Sequence, residues 1–152
     1  MMRFNNQYTE YNGRTYRSKL EARFAQYLDF LQKCGVVSSW DYEPKQCIFQ
    51  YEDVHGKRSD REYWPDFLVN YKNGTRAWFE TKGYVQNKDI QKWKLFRRDF
   101  PDETLVIVFA KKLNPGRGSK WNISANKYDR MKRIVSRIWE NAEKDFKKAG
   151  IL

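Results

Sequence analysis

The stretch that decides the fold is YWPDFLVNYKNGTRAWFETKG, residues 63–83. Two runs of aromatic and β-branched residues flank Asn73-Gly74, which is a strong local signal for a β-hairpin. Asp66, Glu80 and Lys82 stand inside these runs, where charged residues are disfavoured. How the two strands pair therefore decides whether the three charges form a solvated surface or a chemical site.

The alternation of side chains along the strands constrains their pairing. The apolar sets of the two strands share one core only if odd-numbered residues face odd-numbered residues, and we expect Val69 to oppose Phe79. A two-residue Asn73-Gly74 turn does not meet this condition. A three-residue loop over 73–75, or a bulge near it, does.

This register brings the three charged side chains together. Asp66 lies opposite Lys82 and diagonal to Glu80, and all three fall on the face away from the core. Two neighbouring carboxylates repel each other unless a cation lies between them, and Mg²⁺ or Mn²⁺ prefers oxygen ligands of this kind. An adjacent lysine can orient water and stabilise charge on a phosphate. The alternative is a surface ion pair between Asp66 and Lys82, worth under about 1 kcal/mol, and strand alternation is compatible with both.

A helix is predicted upstream of the hairpin, in RSKLEARFAQYLDFLQKCG, residues 17–35. Ser18 is the expected N-cap and Gly35 ends the helix. Glu21 has two interpretations: it is the capping-box partner of Ser18, or it is a third carboxylate that approaches the site from the helix. The apolar side chains on one face of this helix are Leu20, Phe24, Tyr27, Leu28 and Leu31.

Two elements are predicted on either side of the hairpin. KQCIFQY (45–51) is typical of a strand, and a polar loop follows it at 54–60. KDIQKWKLFRRDF (88–100) predicts a helix whose apolar stripe is Ile90, Trp93, Phe96 and Phe100.

The remainder of the chain completes a mixed α/β pattern. TLVIVFA (104–110) predicts a strand buried in a sheet that is covered on both faces. A loop at 114–122 leads to a last helix over 125–148, whose expected inward side chains are Tyr128, Met131, Val135, Ile138 and Ala142. The order of elements predicts one α/β domain over residues 1–152, with a small mixed sheet flanked by helices.

Charge is spread unevenly along the chain. The sequence has 30 Lys and Arg against 19 Asp and Glu, a net charge of +11, and the excess is concentrated in residues 111–150. This basic segment suggests a polyanionic partner, most simply nucleic acid, and the alternative is a solvated basic face. Cys34, Cys47 and His55 are too few for a zinc site, and we expect both thiols to be buried. No apolar run is long enough for a membrane span or a secretory signal, which predicts a cytoplasmic protein.

WPDFLV, followed by FETKG and preceded by SKLEARFA, resembles the PD-(D/E)XK nuclease superfamily. Within it, the chain is most similar to the phage endonuclease I-type Holliday-junction resolvases, which share RS.LE, PDFL, ETKG and a later P…IVF. The resemblance covers about residues 15–110. It implies a restriction-endonuclease-like core and a phage-encoded enzyme acting in the host cytoplasm.

The resemblance also implies a role for each matching residue. Asp66 and Glu80 would bind Mg²⁺, with Mn²⁺ able to substitute, assisted by the backbone carbonyl of Thr81. Lys82 would be the catalytic lysine, and Glu21 a helper carboxylate or second-metal ligand. Gln46, on the strand before the motif, matches a position where some members place an active-site glutamine.

DNA is the implied substrate, and its cleavage on both strands leads us to expect a homodimer or higher homo-oligomer. A structure-specific nuclease for branched DNA is the leading hypothesis. A sequence-specific homing-type nuclease, a non-catalytic nucleic-acid-binding domain and an RNA-directed enzyme are the alternatives. The expected DNA contacts are Lys88, Lys92, Lys94, Lys111, Lys112, Arg117, Lys120, Lys127, Arg130, Lys132, Arg133 and Arg137.

Overall fold

The computed structural model of the chain describes residues 7–44, 55–56, 63–116 and 122–151. Within these ranges there are seven strands and four helices. In chain order they are β1 (Thr9–Tyr11), β2 (Arg14–Tyr16), α1 (Lys19–Lys33), β3 (Val37–Tyr42), β4 (Phe67–Tyr71), β5 (Arg76–Thr81), α2 (Asn87–Asp99), β6 (Leu105–Val108), α3 (Ala125–Ile134), β7 (Arg137–Trp139) and α4 (Ala142–Lys148).

The larger sheet is mixed and has the strand order β3-β4-β5-β6-β7. Strands β3, β4 and β5 pair antiparallel, whereas β5, β6 and β7 pair parallel. Parallel neighbours need a crossover connection, and α2 and α3 supply the two that this order requires. The predicted α/β class, a small mixed sheet flanked by helices, is confirmed. In the described part of the chain, no helix is long and apolar enough to cross a membrane.

Both faces of the central strands β4, β5 and β6 are covered. On one face, α1 and α4 pack through Phe24 and Phe146 against Phe67 and Phe79. On the other face, side chains of α2 and α3 pack against Leu68, Trp78 and Ile107. The prediction that Asp66 and Glu80 lie on a face away from the core is therefore wrong, because the even-numbered side chains of β4 and β5 have a core of their own.

The β4–β5 hairpin has the predicted parity but a different register. Phe67 pairs with Phe79 and Val69 with Ala77, two residues away from the predicted pairing of Val69 with Phe79. The loop has three residues, as predicted, but it spans 72–74 rather than 73–75, since the Tyr71 N–H bonds to the Thr75 carbonyl at 2.8 Å.

The side chain of Asn73 explains this position of the loop. Its Oδ1 accepts hydrogen bonds from the backbone N–H and the hydroxyl of Thr75, at 3.0 and 2.6 Å. This local turn places Asn73 at the centre of the loop and leaves Gly74 at φ +88°, a conformation that glycine adopts without strain. One residue beyond the Phe67–Phe79 pair, the observed register sets Asp66 opposite Glu80 rather than opposite Lys82.

Three of the other predicted elements are confirmed, and the first three observed strands were not predicted. Helix 17–35, helix 88–100 and strand 104–110 are confirmed as α1, α2 and β6. The β1–β2 hairpin and β3 were not predicted, because the exposed polar residues of β3 give it no clear alternation. Cys34 is exposed at the end of α1, not buried. The predicted strand at 45–51 and Cys47 lie outside the described residues.

The predicted last helix over 125–148 is wrong. The chain leaves the helical conformation at Val135, forms β7, and becomes helical again in α4. Ser136 accepts a hydrogen bond from the Leu105 N–H through its hydroxyl at 2.9 Å and donates its own N–H to the Leu105 carbonyl at 3.0 Å. Pairing of this segment with β6 therefore replaces continued helix. The predicted basic elaboration at 111–150 contributes a strand, β7, to the sheet and packs both α3 and α4 against it.

Phe146→Ala tests whether α4 belongs to this core. The side chain is 1 % exposed and packs against the rings of Tyr27 and Trp139. We expect the free energy of unfolding to fall by about 3–5 kcal/mol in denaturant titrations. The neighbouring exposed Lys147→Ala should change it by less than about 0.5 kcal/mol. Equal small effects for both variants would contradict the packing described here.

Candidate active site

A cleft of about 710 Å³ opens at the edge of the sheet where β5 and β6 end. Its walls come from the start of α1, the start of β4, the turn after β5, the start of α2 and the segment after β6. In sheets with parallel strands, ligands characteristically bind at this carboxyl edge. The structure brings five of the predicted catalytic and metal-binding residues together in the lining: Glu21, Asp66, Glu80, Thr81 and Lys82.

Asp66 immediately precedes β4 and is held by Thr81 of β5. Its Oδ2 accepts hydrogen bonds from the Thr81 N–H at 2.8 Å and from the Thr81 hydroxyl at 3.0 Å. Burial raises the pKa of Asp66 well above its ordinary value, and the nearby Glu80 and Glu21 carboxylates raise it further, against the lowering effect of the Thr81 hydrogen bonds. Thr81, predicted to act through its carbonyl, thus also positions a carboxylate through its N–H and hydroxyl.

Glu80 projects from β5 toward α2 and is 7 % exposed. Its Oε2 accepts a hydrogen bond from the Trp93 indole N–H at 2.7 Å. Burial raises the pKa of Glu80, although the Lys82 ammonium and the Trp93 hydrogen bond oppose the shift. The sequence predicted Trp93 only as part of an apolar stripe, since a helical period does not reveal which carboxylate an indole N–H will reach.

Glu21 enters the cleft from the first turn of α1. The Ser18 hydroxyl accepts the Glu21 N–H at 3.1 Å, which confirms Ser18 as the N-cap. The Glu21 carboxylate does not complete the predicted capping box with Ser18. Its Oε2 instead accepts hydrogen bonds from the Arg17 N–H at 3.0 Å and the Tyr42 hydroxyl at 2.7 Å. Burial raises the pKa of Glu21 as well, against these two hydrogen bonds.

The three carboxylates share a pattern of anchoring. Each accepts hydrogen bonds from described residues through one oxygen, which is Oδ2 in Asp66 and Oε2 in Glu21 and Glu80. An ionised carboxylate has acceptor positions on both oxygens. Each acid is thus held in place by hydrogen bonds to at least one of its oxygens, and all three line the cleft.

This donor set suits a hard divalent cation. Among the described residues there is no group of three or more His, Cys, Asp or Glu side chains arranged to hold a metal ion. Mg²⁺ commonly binds through one or two carboxylates and completes its coordination with water and substrate phosphate. Asp66 and Glu80 provide that number, and their mutual repulsion is the kind that a bound cation relieves.

Lys82 follows β5 directly and forms an ion pair with Asp89 rather than with Asp66. Its Nζ lies 3.0 Å from Asp89 Oδ1, and Asp89 Oδ2 accepts the Gln86 N–H at 2.8 Å. Burial alone lowers the pKa of Lys82, but the neighbouring Glu80 and Asp89 carboxylates outweigh it, so the net pKa is raised and the side chain is an ammonium. Asp89 was not predicted, although its place three residues after the N-cap of α2 is a capping signal.

Few of the predicted DNA-binding cations line the cleft. Lys88 and Lys111 do, as does Arg17, which the sequence did not single out as a contact and which pairs with Glu43 at 3.2 Å. The other described candidates lie away from the lining: Lys92, Lys94, Lys112, Lys127, Arg130, Lys132, Arg133 and Arg137. Gln46, Arg117 and Lys120 lie outside the described residues.

Residues 1–114 match the model of one protein family, described as "Protein of unknown function (DUF1064)", and the chain belongs to that family. No curated protein matches the chain, and no solved structure matches it. The matched range contains Glu21, Asp66, Glu80 and Lys82, whereas β7 and α4 lie beyond its end.

Glu80→Gln should stabilise the metal-free protein at neutral pH. The pKa of Glu80 is higher in the folded than in the unfolded chain, so the folded state binds more protons between the two values and stability falls as pH rises through that window. Glutamine has no such ionisation and retains an oxygen for Trp93. In thermal melts from pH 5 to 8, the Tm of Glu80→Gln should exceed that of the native sequence, and the difference should grow with pH to a few degrees.

The matched control is Glu10→Gln, which changes an exposed glutamate of β1 in the same way. It should leave the pH profile of stability unchanged. Added Mg²⁺ should raise the Tm of the native sequence more than that of Glu80→Gln, since the variant lacks one anionic ligand. A Tm of Glu80→Gln equal to or below that of the native sequence across the range would contradict a strained carboxylate pair.

Proposed function

We propose that this DUF1064 protein is a metal-dependent endonuclease that hydrolyses phosphodiester bonds in DNA. The observation that carries the proposal is the meeting of Asp66, Glu80 and Lys82 in one cleft, with Glu21 approaching from α1. These are the residues at which the chain resembles the PD-(D/E)XK nucleases. A structural ion-pair cluster accounts less well for the site, because the half-buried Asp66 and the buried Glu80 are neighbouring carboxylates whose pKa values are both raised.

Asp66, Glu80 and the Thr81 carbonyl are the groups that would hold Mg²⁺, or Mn²⁺ in its place. When bound, the cation would supply Lewis-acid stabilisation of the phosphate and a more acidic water. Thr81 and Trp93 hold the two carboxylates in fixed orientations, which reduces the reorganisation needed on binding.

Lys82 contributes positive charge where the reaction develops negative charge. Its ammonium is held by Asp89 at 3.0 Å, within the lining of the same cleft. Water would attack phosphorus in line, the bond from phosphorus to the 3′ oxygen would break, and the products would be a 5′-phosphate and a 3′-hydroxyl. Preorganised charges of this kind contribute a factor of about 100 to 1,000 each in comparable active sites.

Branched DNA is the proposed substrate, following the similarity to the endonuclease I-type resolvases. A sequence-specific duplex nuclease is the second candidate, because the same motif serves both kinds of target. A non-catalytic binding domain is disfavoured by the presence of all four site residues. Cleavage of both strands would require two active sites, so we further propose a homo-oligomer that acts in the cytoplasm.

The direct test incubates the protein and Mg²⁺ with a four-way junction, a linear duplex, a single strand and the RNA equivalents. Cleavage of the junction near its branch point supports the resolvase assignment. Cleavage confined to one duplex sequence would favour the homing-type alternative, and cleavage of RNA alone would exclude DNA as the substrate. Absence of cleavage of every substrate with Mg²⁺ and with Mn²⁺ would overturn the nuclease proposal.

Lys82→Ala should lower the cleavage rate by at least about 100-fold, since it removes a charge from the reacting centre. Single-turnover assays with saturating protein separate this effect from binding, which should change by less than about fivefold because the other cations of the cleft remain. Lys94→Ala, on the exposed side of α2 and outside the cleft, is the control and should retain the native rate. A Lys82→Ala variant with native activity would refute the mechanism.

Lys88 and Lys111 should account for part of the salt dependence of DNA binding. Each phosphate contact contributes a slope of roughly −0.9 to the plot of log K against log salt for duplex DNA. The double variant Lys88→Ala/Lys111→Ala should therefore flatten the slope by roughly 2, whereas Lys94→Ala should leave it unchanged. Fluorescence anisotropy over a salt series measures the slope for each protein. Equal slopes for the native protein, the double variant and Lys94→Ala would show that Lys88 and Lys111 do not contact DNA phosphates.

A further inference from the structure

Tyr84 places an aromatic ring in the lining of the cleft. It lies in the turn between β5 and α2, lines the cleft, and is 45 % exposed. Its neighbour Val85 is 3 % exposed and packs into the core beneath α2. The turn is therefore anchored by Val85 while Tyr84 is directed to the cleft, and burial of apolar surface does not account for its position.

Lys127 of α3 holds this turn in place. Its Nζ lies 5.2 Å from the centre of the Tyr84 ring and donates a hydrogen bond to the Val85 carbonyl at 3.3 Å. A cation over a tyrosine ring stabilises the contact by about 0.5–1 kcal/mol at an exposed site. Lys127 thus makes internal contacts with both residues of the turn, and the ring is oriented before any ligand arrives.

The ring is also close to the reacting centre. Tyr84 is two residues from Lys82, so their Cα atoms are at most about 7 Å apart. A phosphate held beside Lys82 would carry nucleosides within reach of the Tyr84 ring. Aromatic side chains in such positions stack on bases without regard to sequence, because every base presents a flat π face.

We infer that Tyr84 stacks on the base of an unpaired nucleotide adjacent to the scissile phosphate. The inference rests on the proposed function and specifies its substrate class: single-stranded DNA, or branched DNA with an unpaired nucleotide at the point of cleavage. A base inside a duplex is already stacked on both sides, and extracting it costs a few kcal/mol. Continuous duplex therefore gains nothing from Tyr84.

The test measures binding of the full-length protein to a short single strand and to the same sequence as duplex, with Ca²⁺ in place of Mg²⁺. We expect Tyr84→Ala to weaken single-strand binding by about 5- to 150-fold and to leave duplex binding within about twofold. Tyr84→Phe keeps the ring and should bind like the native protein. Tyr8→Ala is the matched control, since Tyr8 is 71 % exposed and does not line the cleft.

A second readout reports stacking itself. The fluorescence of 2-aminopurine is quenched when the base stacks, so one position in the single strand should be quenched by the native protein and recover in Tyr84→Ala. Equal losses for single strand and duplex would overturn the inference in favour of a backbone contact. An effect of Tyr84→Phe as large as that of Tyr84→Ala would assign the role to the hydroxyl and overturn it too.

These outcomes are separate from those of the nuclease proposal. A native protein that cleaves DNA with Mg²⁺, together with a Tyr84→Ala variant that binds single strands normally, would refute the stacking role alone. If the native protein cleaves nothing, and the Tyr84→Ala variant selectively loses single-strand binding, the nuclease proposal is refuted. The same result would support stacking by a non-catalytic binding module.

Discussion

The hydrogen bonds that Asn73 accepts from Thr75 centre the β4–β5 loop, and the rest of the site depends on the register that results. This register places Phe67 opposite Phe79 on the α1 side of the sheet. One position further along, it brings Asp66 to the level of Glu80. A loop centred one residue later would preserve the apolar alternation but move Asp66 toward Lys82. A local turn thus decides which charged groups become neighbours inside the protein.

The neighbours that this register creates are a half-buried acid, Asp66, and a buried one, Glu80, and the surrounding structure compensates for their charges only in part. Thr81, Trp93 and Tyr42 each donate hydrogen bonds to a carboxylate of the cleft. The pKa values of all three acids nevertheless remain raised, since burial outweighs the hydrogen bonds. A site arranged in this way is destabilising for the empty protein at neutral pH and favourable for a cation. That imbalance adds to the support that the meeting of these side chains in one cleft gives to the proposed chemistry.

The N-terminus of α2 links the charged centre to the mouth of the cleft. Asp89 caps the helix through Gln86 and at the same time holds the Lys82 ammonium. The short turn between them carries Tyr84, and Lys127 of α3 holds that turn from outside. One helix start therefore orients the amine of the proposed reaction and presents an aromatic ring beside it.

Local patterns in the sequence determined α1, α2, β6, the three-residue length of the hairpin loop and the charged residues Glu21, Asp66, Glu80 and Lys82 of the cleft. Each of these depends on a period, a capping residue or a short motif that neighbouring residues supply. The break between α3 and β7 was not predictable in this way, because helical spacing continues through Val135 and only pairing with Leu105 interrupts it. The sequence motif alone could also not choose between Asp66 and Asp89 as the partner of Lys82.

Tertiary structure decided those choices because they depend on contacts between residues that no short pattern connects. The indole of Trp93 reaches Glu80 only when α2 packs on the sheet, and the Tyr42 hydroxyl reaches Glu21 only when β3 lies beside β4. Sequence by itself determined which residues could perform chemistry. The fold determined that they meet in one cleft, how deeply each is buried, and which groups donate hydrogen bonds to them, since burial and orientation are properties of the packed chain.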